Sequence, residues 1–334
     1  MSLDHIRQEG LSHIEEKFSL IKIDENIYEG KHPLEPFAAG GRGTYGGEFL
    51  CQTLLAAWST VDDEFSPNSL HSHFVKAGSQ KSVMKYEVLR NNDGRNFAHR
   101  TVQVFQKHTG VLCFTMIVLF TKKNSRKDKI QAYSDDTTGR ITPPFGFQGT
   151  PHAFLKKYKD KLDTIPYWQH TNNNLRHVIP KEYIDTKYND RLATLPAGER
   201  KLGAFVKVND DLSLAKDQLK AKVLAMTFAS DRLWWSSIIR ILGLPLKPSS
   251  LNFFRVSFDH FIGFHDVEYD PSEWMFLDWT FKRYENDRAL AVCLLYTLEG
   301  VCVATISQEG LIFMPKKLIE RFPDSLYDKR NSKL

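Results

Sequence analysis

Cysteine is scarce, with four in 334 residues, and Cys51, Cys113, Cys293 and Cys302 stand among apolar neighbours without a C-x-x-C pair. That argues against a disulfide framework or a cysteine-rich metal site and predicts buried, reduced thiols in a protein that is not secreted. Long apolar runs are also missing. The longest, Val111 to Phe120, is about half of what a bilayer-spanning helix needs, and the opening MSLDHIRQEGLSHIEEK is polar with no signal-type core, so no membrane span is expected. Neither sign of charge dominates: 45 Lys and Arg against 40 Asp and Glu leave +5, which suits a polyanionic small ligand and does not call for nucleic acid. The basic run Lys122 to Lys129 lacks interleaved aromatics and is predicted to be a solvated linker.

Two sequence signatures of catalysis are absent or out of place. No Gly-x-Ser-x-Gly pentapeptide occurs, which disfavours a serine nucleophile held on a strained turn. Gly41-x-Gly43-x-x-Gly46 has the spacing of a dinucleotide fingerprint, yet Lys31 to Phe37 before it carries two prolines and no strand pattern. No cofactor is therefore expected. Gly46-Gly47 is predicted instead to let a helix N-terminus approach another backbone or a ligand carbonyl.

What the chain does contain is an order of elements that occurs twice. Tyr45 to Trp58 places small and apolar residues at helical spacing, and strand-like runs follow at 83–90, 97–106 and 111–120, separated by Asn91-Asn92-Asp93-Gly94 and His108-Thr109-Gly110. Leu224 to Leu242 again looks helical, with strand-like runs at 274–284, 289–296 and 301–309. Laying Gly110 on Gly300 brings Thr115 onto Thr305, so the last hairpins share a register. A helix and long antiparallel strands, repeated once, predict two joined α+β units, with 1–121 the first, 122–200 a linker region, 201–320 the second and 321–334 a polar tail.

Polar residues set in apolar frames mark the candidate site in the second unit. Asp231 interrupts Ala229-Ser230-Asp231-Arg232-Leu233-Trp234-Trp235, where it is expected at the start of the second repeat's central helix. Strict alternation would put Ser257 and Asp259 on one strand face, with Asp259 and His260 as a structural pair. Gln308 stands where the register gives Val118 in the first repeat, a polar amide in one copy only. Phe253, Phe254, Trp234, Trp235 and Phe261 are candidates for an apolar lining, although aromatics at such spacing are more often core.

Taken in order, Gly46-Gly47 with Gln52 and Ala56-Ala57, Leu70-His71-Ser72-His73-Phe74 with Gly78, Asp93-Gly94-Arg95-Asn96-Phe97, Ala229-Ser230-Asp231, Ser257-Phe258-Asp259-His260 and Thr305 to Gly310 resemble the acyl-CoA thioesterase II family. The resemblance implies an α+β double hotdog, two antiparallel sheets each wrapping a central helix. It also implies hydrolysis of fatty acyl-CoA by a trio that maps onto Asp231, Ser257 and Gln308, with no cofactor or metal and with a homodimer as the assembly. The departures are Glu48 for a Gln, Cys51 for a small Gly, and Phe261 to Phe264 for a Ser-Met-Trp-Phe run. Two other readings of such a fold remain at this point: a non-catalytic fatty-acyl-CoA binding protein, and a hydratase or acyltransferase. The hydratase motif needs an Asn-His dipeptide that this chain lacks. Finally, Ser332-Lys333-Leu334 matches the address read by the peroxisomal import receptor, which predicts a place in the peroxisomal matrix and in β-oxidation.

Overall fold

The computed structural model describes residues 12–36, 43–122, 125–143, 146–165, 168–169, 174–180, 195–242 and 253–314, so Gly41 and Ser332-Lys333-Leu334 lie outside the described residues. A short helix, α1 (His13–Phe18), leads into β1 (Leu20–Asp24) and β2 (Ile27–Gly30). The first repeat continues with α2 (Gly46–Trp58), β3 (Phe65–Phe74), β4 (Met84–Asp93), β5 (Phe97–Gln106) and β6 (Val111–Lys122). Between the repeats come α3 (Arg126–Ser134), α4 (Phe154–Tyr158), β7 (Trp168–Gln169) and β8 (Leu175–Val178). The second repeat holds β9 (Lys201–Val208), α5 (Gln218–Ser230), α6 (Trp234–Ile241), β10 (Phe254–Ser257), β11 (Asp259–Phe264), β12 (Met275–Glu285), β13 (Arg288–Thr297) and β14 (Cys302–Phe313).

All the strands join one sheet in the order β1-β2-β4-β5-β6-β3-β11-β14-β13-β12-β9-β8-β7, with β10 paired to β14. The repeats meet edge to edge at β3 and β11, where Leu70 lies opposite Ile262 and His71 opposite Phe261. Pairing the two edges leaves no exposed strand ladder at the centre of the molecule. The turns follow the chemistry of their sequences: Gly110 and Gly300 have φ of +67° and +85°, and Asn286-Asp287 takes up the left-handed conformation that a tight hairpin demands.

Each half of the sheet curves around one helix of 13 residues, and α2 and α5 pack against each other. α2 is buried along nearly its whole length, which requires its small and apolar composition. Its direction opposes that of α5. Tyr45 at its start donates from the phenol to Phe228 O at 3.0 Å, and Cys51, further along the helix, donates to Leu224 O at 3.1 Å. Gly47 is needed at this crossing, since a Cβ there would meet Phe228 O at 2.6 Å.

Two expectations need correction here. The helical stretch Leu224 to Leu242 is not continuous: α5 ends at Ser230, and Leu233, with φ +68°, turns the chain before α6 begins. Asp231 consequently caps the C-terminal end of a helix instead of starting one. Ser257 and Asp259 also do not share a face, because Phe258 breaks the ladder between β10 and β11. Ser257 turns inward to Gln308, while Asp259 lies opposite His73 and 3.8 Å from the half-exposed His71. Within 122–200, α3 buries none of its residues, whereas Phe154, Leu155 and Leu162 pack into the core.

Candidate active site

Asp231 is held where the two repeats touch. Its own helix ends at it, which by itself disfavours a negative charge, but the N-terminus of α2 from the other repeat points at it and favours one. The Gly47 N–H donates to Asp231 Oδ2 at 3.2 Å. Gly46 has to be glycine for this approach, because a Cβ would stand 2.6 Å from the same oxygen and 2.9 Å from the Phe74 ring. α2 has no side-chain N-cap, so the carboxylate of the other repeat takes that place.

The other carboxylate oxygen faces β14. Gln308, fully buried on the inner side of the sheet, donates from Nε2 to Asp231 Oδ1 at 2.7 Å and to Ser257 Oγ at 3.2 Å. Both hydrogens of the amide are then committed, and the Ser257 hydroxyl, used as an acceptor, keeps its own hydrogen to donate. The sequence-predicted trio Asp231, Ser257 and Gln308 is thus brought together from a helix end and two neighbouring strands. Burial pushes the Asp231 carboxyl up to about 6, against the opposing pull of the Gln308 amide, the Gly47 N–H and the Arg232 charge.

His260 lies behind this carboxylate and is not paired with Asp259 as the sequence suggests. Its Nε2 is 3.0 Å from Ser230 Oγ and its Nδ1 is 3.9 Å from Asp231 Oδ1. Burial lowers its pKa to about 3, so the contact is between a neutral ring and the acid, not an ion pair. Asp259 instead accepts from the Glu309 N–H at 2.8 Å.

The aromatic candidates divide. Trp234 is buried and packs at a tilt against Trp235, with 3.7 Å between ring centroids, and both indoles press on Gly310, where a Cβ would meet them at 2.6 and 2.9 Å. Phe254 is exposed beside Phe313, and Phe261 meets the ring of His71 on the outer face, so neither lines the site. Phe74, which sequence reasoning did not single out, approaches both Gly46 and the Phe49 and Phe114 rings. Among the described residues, no cluster of His, Cys, Asp or Glu could hold a metal ion.

A duplicated antiparallel sheet wrapping two antiparallel helices defines a double hotdog, and the acid set between the repeats marks its candidate site. Comparison with known proteins makes the class specific. Residues 34–121 match the model of the acyl-CoA thioesterase N-terminal domain, and residues 173–312 match that of the C-terminal domain. The chain belongs to the acyl-CoA thioesterase family. It is 26% identical to peroxisomal acyl-coenzyme A thioester hydrolase 1 of Saccharomyces cerevisiae over 90% of this chain and 95% of that one. It is 23% identical to human acyl-coenzyme A thioesterase 8 over 90% and 89%. Among solved structures, the acyl-CoA thioesterase II TesB2 of Mycobacterium marinum superposes with a TM-score of 0.64 at 21% identity, over 91% of this chain and 98% of that one. A hot dog fold protein of Alicyclobacillus acidocaldarius gives 0.59 at 12% identity, over 90% and 98%.

Proposed function

We propose that this thioesterase hydrolyses fatty acyl-CoA by direct attack of a water molecule activated by Asp231 and positioned by Ser257 and Gln308. The observation that carries the reading is the single Gln308 amide donating to both the acid and the hydroxyl, which fixes an acceptor and a donor beside each other. Water loses a proton to Asp231 while its oxygen bonds to the thioester carbonyl carbon. The carbon–sulfur bond then breaks, and the thiolate takes the proton back from Asp231 to leave as CoA. A thiol of pKa about 8.5 leaves readily, so no strong general acid is required. The positive end of α2 offers favourable electrostatics for the transient oxyanion. The test is to run palmitoyl-CoA turnover in 18O-labelled water with a thiol reagent. Equal release of CoA and singly labelled fatty acid is expected, whereas palmitoyl-CoA consumption without labelled acid would remove hydrolysis from the account.

The finer assignments belong to the same proposal. Of the division at 1–121, 122–200, 201–320 and 321–334, the sheet order supports the two units, since it passes from one repeat to the other at a single strand pair, while β7 and β8 from within 122–200 extend the sheet of the second unit. A peroxisomal matrix location and a role in β-oxidation are supported by the likeness to the peroxisomal thioester hydrolase of yeast, with Ser332-Lys333-Leu334 as the segment read by the import receptor. Deleting those three residues should leave turnover intact and abolish import. A homodimer is the expected assembly, to be read from sedimentation.

A further inference from the structure

α1 touches both repeats, and its two ends are tied down in different ways. At its start, Asp210 of the second repeat accepts from Ser12 Oγ at 2.7 Å and from the His13 and Ile14 N–H groups at 2.9 Å each, serving the helix's unpaired donors. At its end, Lys17 is buried and lies 2.9 Å from Glu48 Oε1 in the first turn of α2, and it also pairs with Glu35. Glu35 is in turn fastened to that same turn through its backbone: its N–H donates to Glu48 Oε2 at 3.2 Å and its carbonyl accepts from the Tyr45 N–H at 2.9 Å. Glu48 is 1% exposed, so the pair is an internal one that water cannot replace. Burial raises the Glu48 pKa; it also pulls the Lys17 amine down, but the charges of Glu48 and Glu35 outweigh that and leave Lys17 raised.

We propose that α1 is a brace for hydrolysis: anchored to the second repeat by Asp210 and to α2 by Lys17 with Glu48, it holds the Gly47 N–H against Asp231. This inference rests on Asp231 being the base. Lys17 is the partner that lets the Glu48 carboxylate stay buried in the first turn of α2. Asp210, Lys17 and Glu48 are positioning residues, since none of them touches the acid or the reacting atoms. The groups that do face Asp231, namely Gln308, the Gly46 and Gly47 N–H groups, Arg232, His260 and Tyr45, are left unaltered by the variants below.

The test compares kcat, KM and the pH dependence of kcat on palmitoyl-CoA for wild type, Asp210→Ala, Asp210→Asn and the paired variant Lys17→Met with Glu48→Gln, which removes both charges together so that no lone charge stays buried. Loss of the brace should lower kcat by roughly fivefold or more with KM nearly constant. It should also move the acidic limb of the profile upward by about half a pH unit, because a carboxylate that loses an N–H donor protonates more easily. Asp210→Asn keeps one acceptor oxygen for the helix N-terminus but turns its NH2 toward the other N–H, so it should recover only part of both. A lowered melting temperature with kcat within about twofold and an unmoved limb in both Asp210→Ala and the paired variant would overturn the brace. Asp231→Asn is run beside them. If it is inactive while the brace variants behave as wild type, only the brace falls, and if it is fully active, the brace falls together with the base it serves.

Discussion

As the proposed base, Asp231 faces two opposing demands. In that role it has to be ionised to accept a proton from water, yet burial makes the ionised form costly and raises its pKa to about 6. The sign of the linkage follows. A carboxyl that binds its proton more tightly folded than unfolded lowers stability as pH rises from about 4 to about 6, and the loss persists above that. The full effect is on the order of 3 kcal/mol. Asp231→Asn should therefore be more stable than wild type at pH 7 by about 1–2 kcal/mol, less than the full value because the amide NH2 must face either Gln308 or Gly47. Thermal unfolding checks this, and a lowered melting temperature would contradict it. The wild-type kcat should rise with pH through about 6 and then level off. At this scale the sequence was informative: the lone acid among Ala229, Ser230 and Trp234 and the Gln308 standing at the counterpart of Val118 both stood out as polar residues in apolar frames. The partner of His260 was not legible, since the one-residue slip at Phe258 sends Asp259 to the outer face and leaves the imidazole with Ser230.

At the scale of elements, the site depends on a helix that starts where another ends. Gly46 and Gly47 are adjacent but should respond differently to a methyl group. Gly46→Ala puts its Cβ against a movable carboxylate and the Phe74 ring, so kcat should fall by roughly tenfold with modest loss of stability. Gly47→Ala puts its Cβ against the Phe228 carbonyl, part of the backbone of α5, and should cost about 1–3 kcal/mol because two helices have to separate. Equal effects of the two on melting temperature would argue against this division. The hairpin strands β4–β6 and β12–β14 were read from alternation and turn residues to within a few positions, whereas β1–β3 and β7–β9 were not singled out. The helix break at Asp231 was hidden because Leu233 is a good helix former by composition, and only its tertiary setting drives it to φ +68°.

For the whole molecule, the duplication was visible in the shared register of Gly110 and Gly300, but the way the copies meet was not. Nothing in the hydrophobic pattern says that β3 pairs β11, or that α2 and α5 run in opposite directions and so bring a first-repeat N-terminus to a second-repeat acid. One continuous sheet and one helix pair shared by both repeats predict a single cooperative unfolding transition, with β3 and β11 amides among the slowest to exchange. Two resolved calorimetric transitions would mean that the seam is weaker than the sheet on either side.

The most direct measurement is the turnover number of Asp231→Asn on palmitoyl-CoA at pH 7, taken on protein shown by its melting curve to be folded. An acid that activates the attacking water predicts a fall of about 100-fold or more. A turnover number within about twofold of wild type would contradict it.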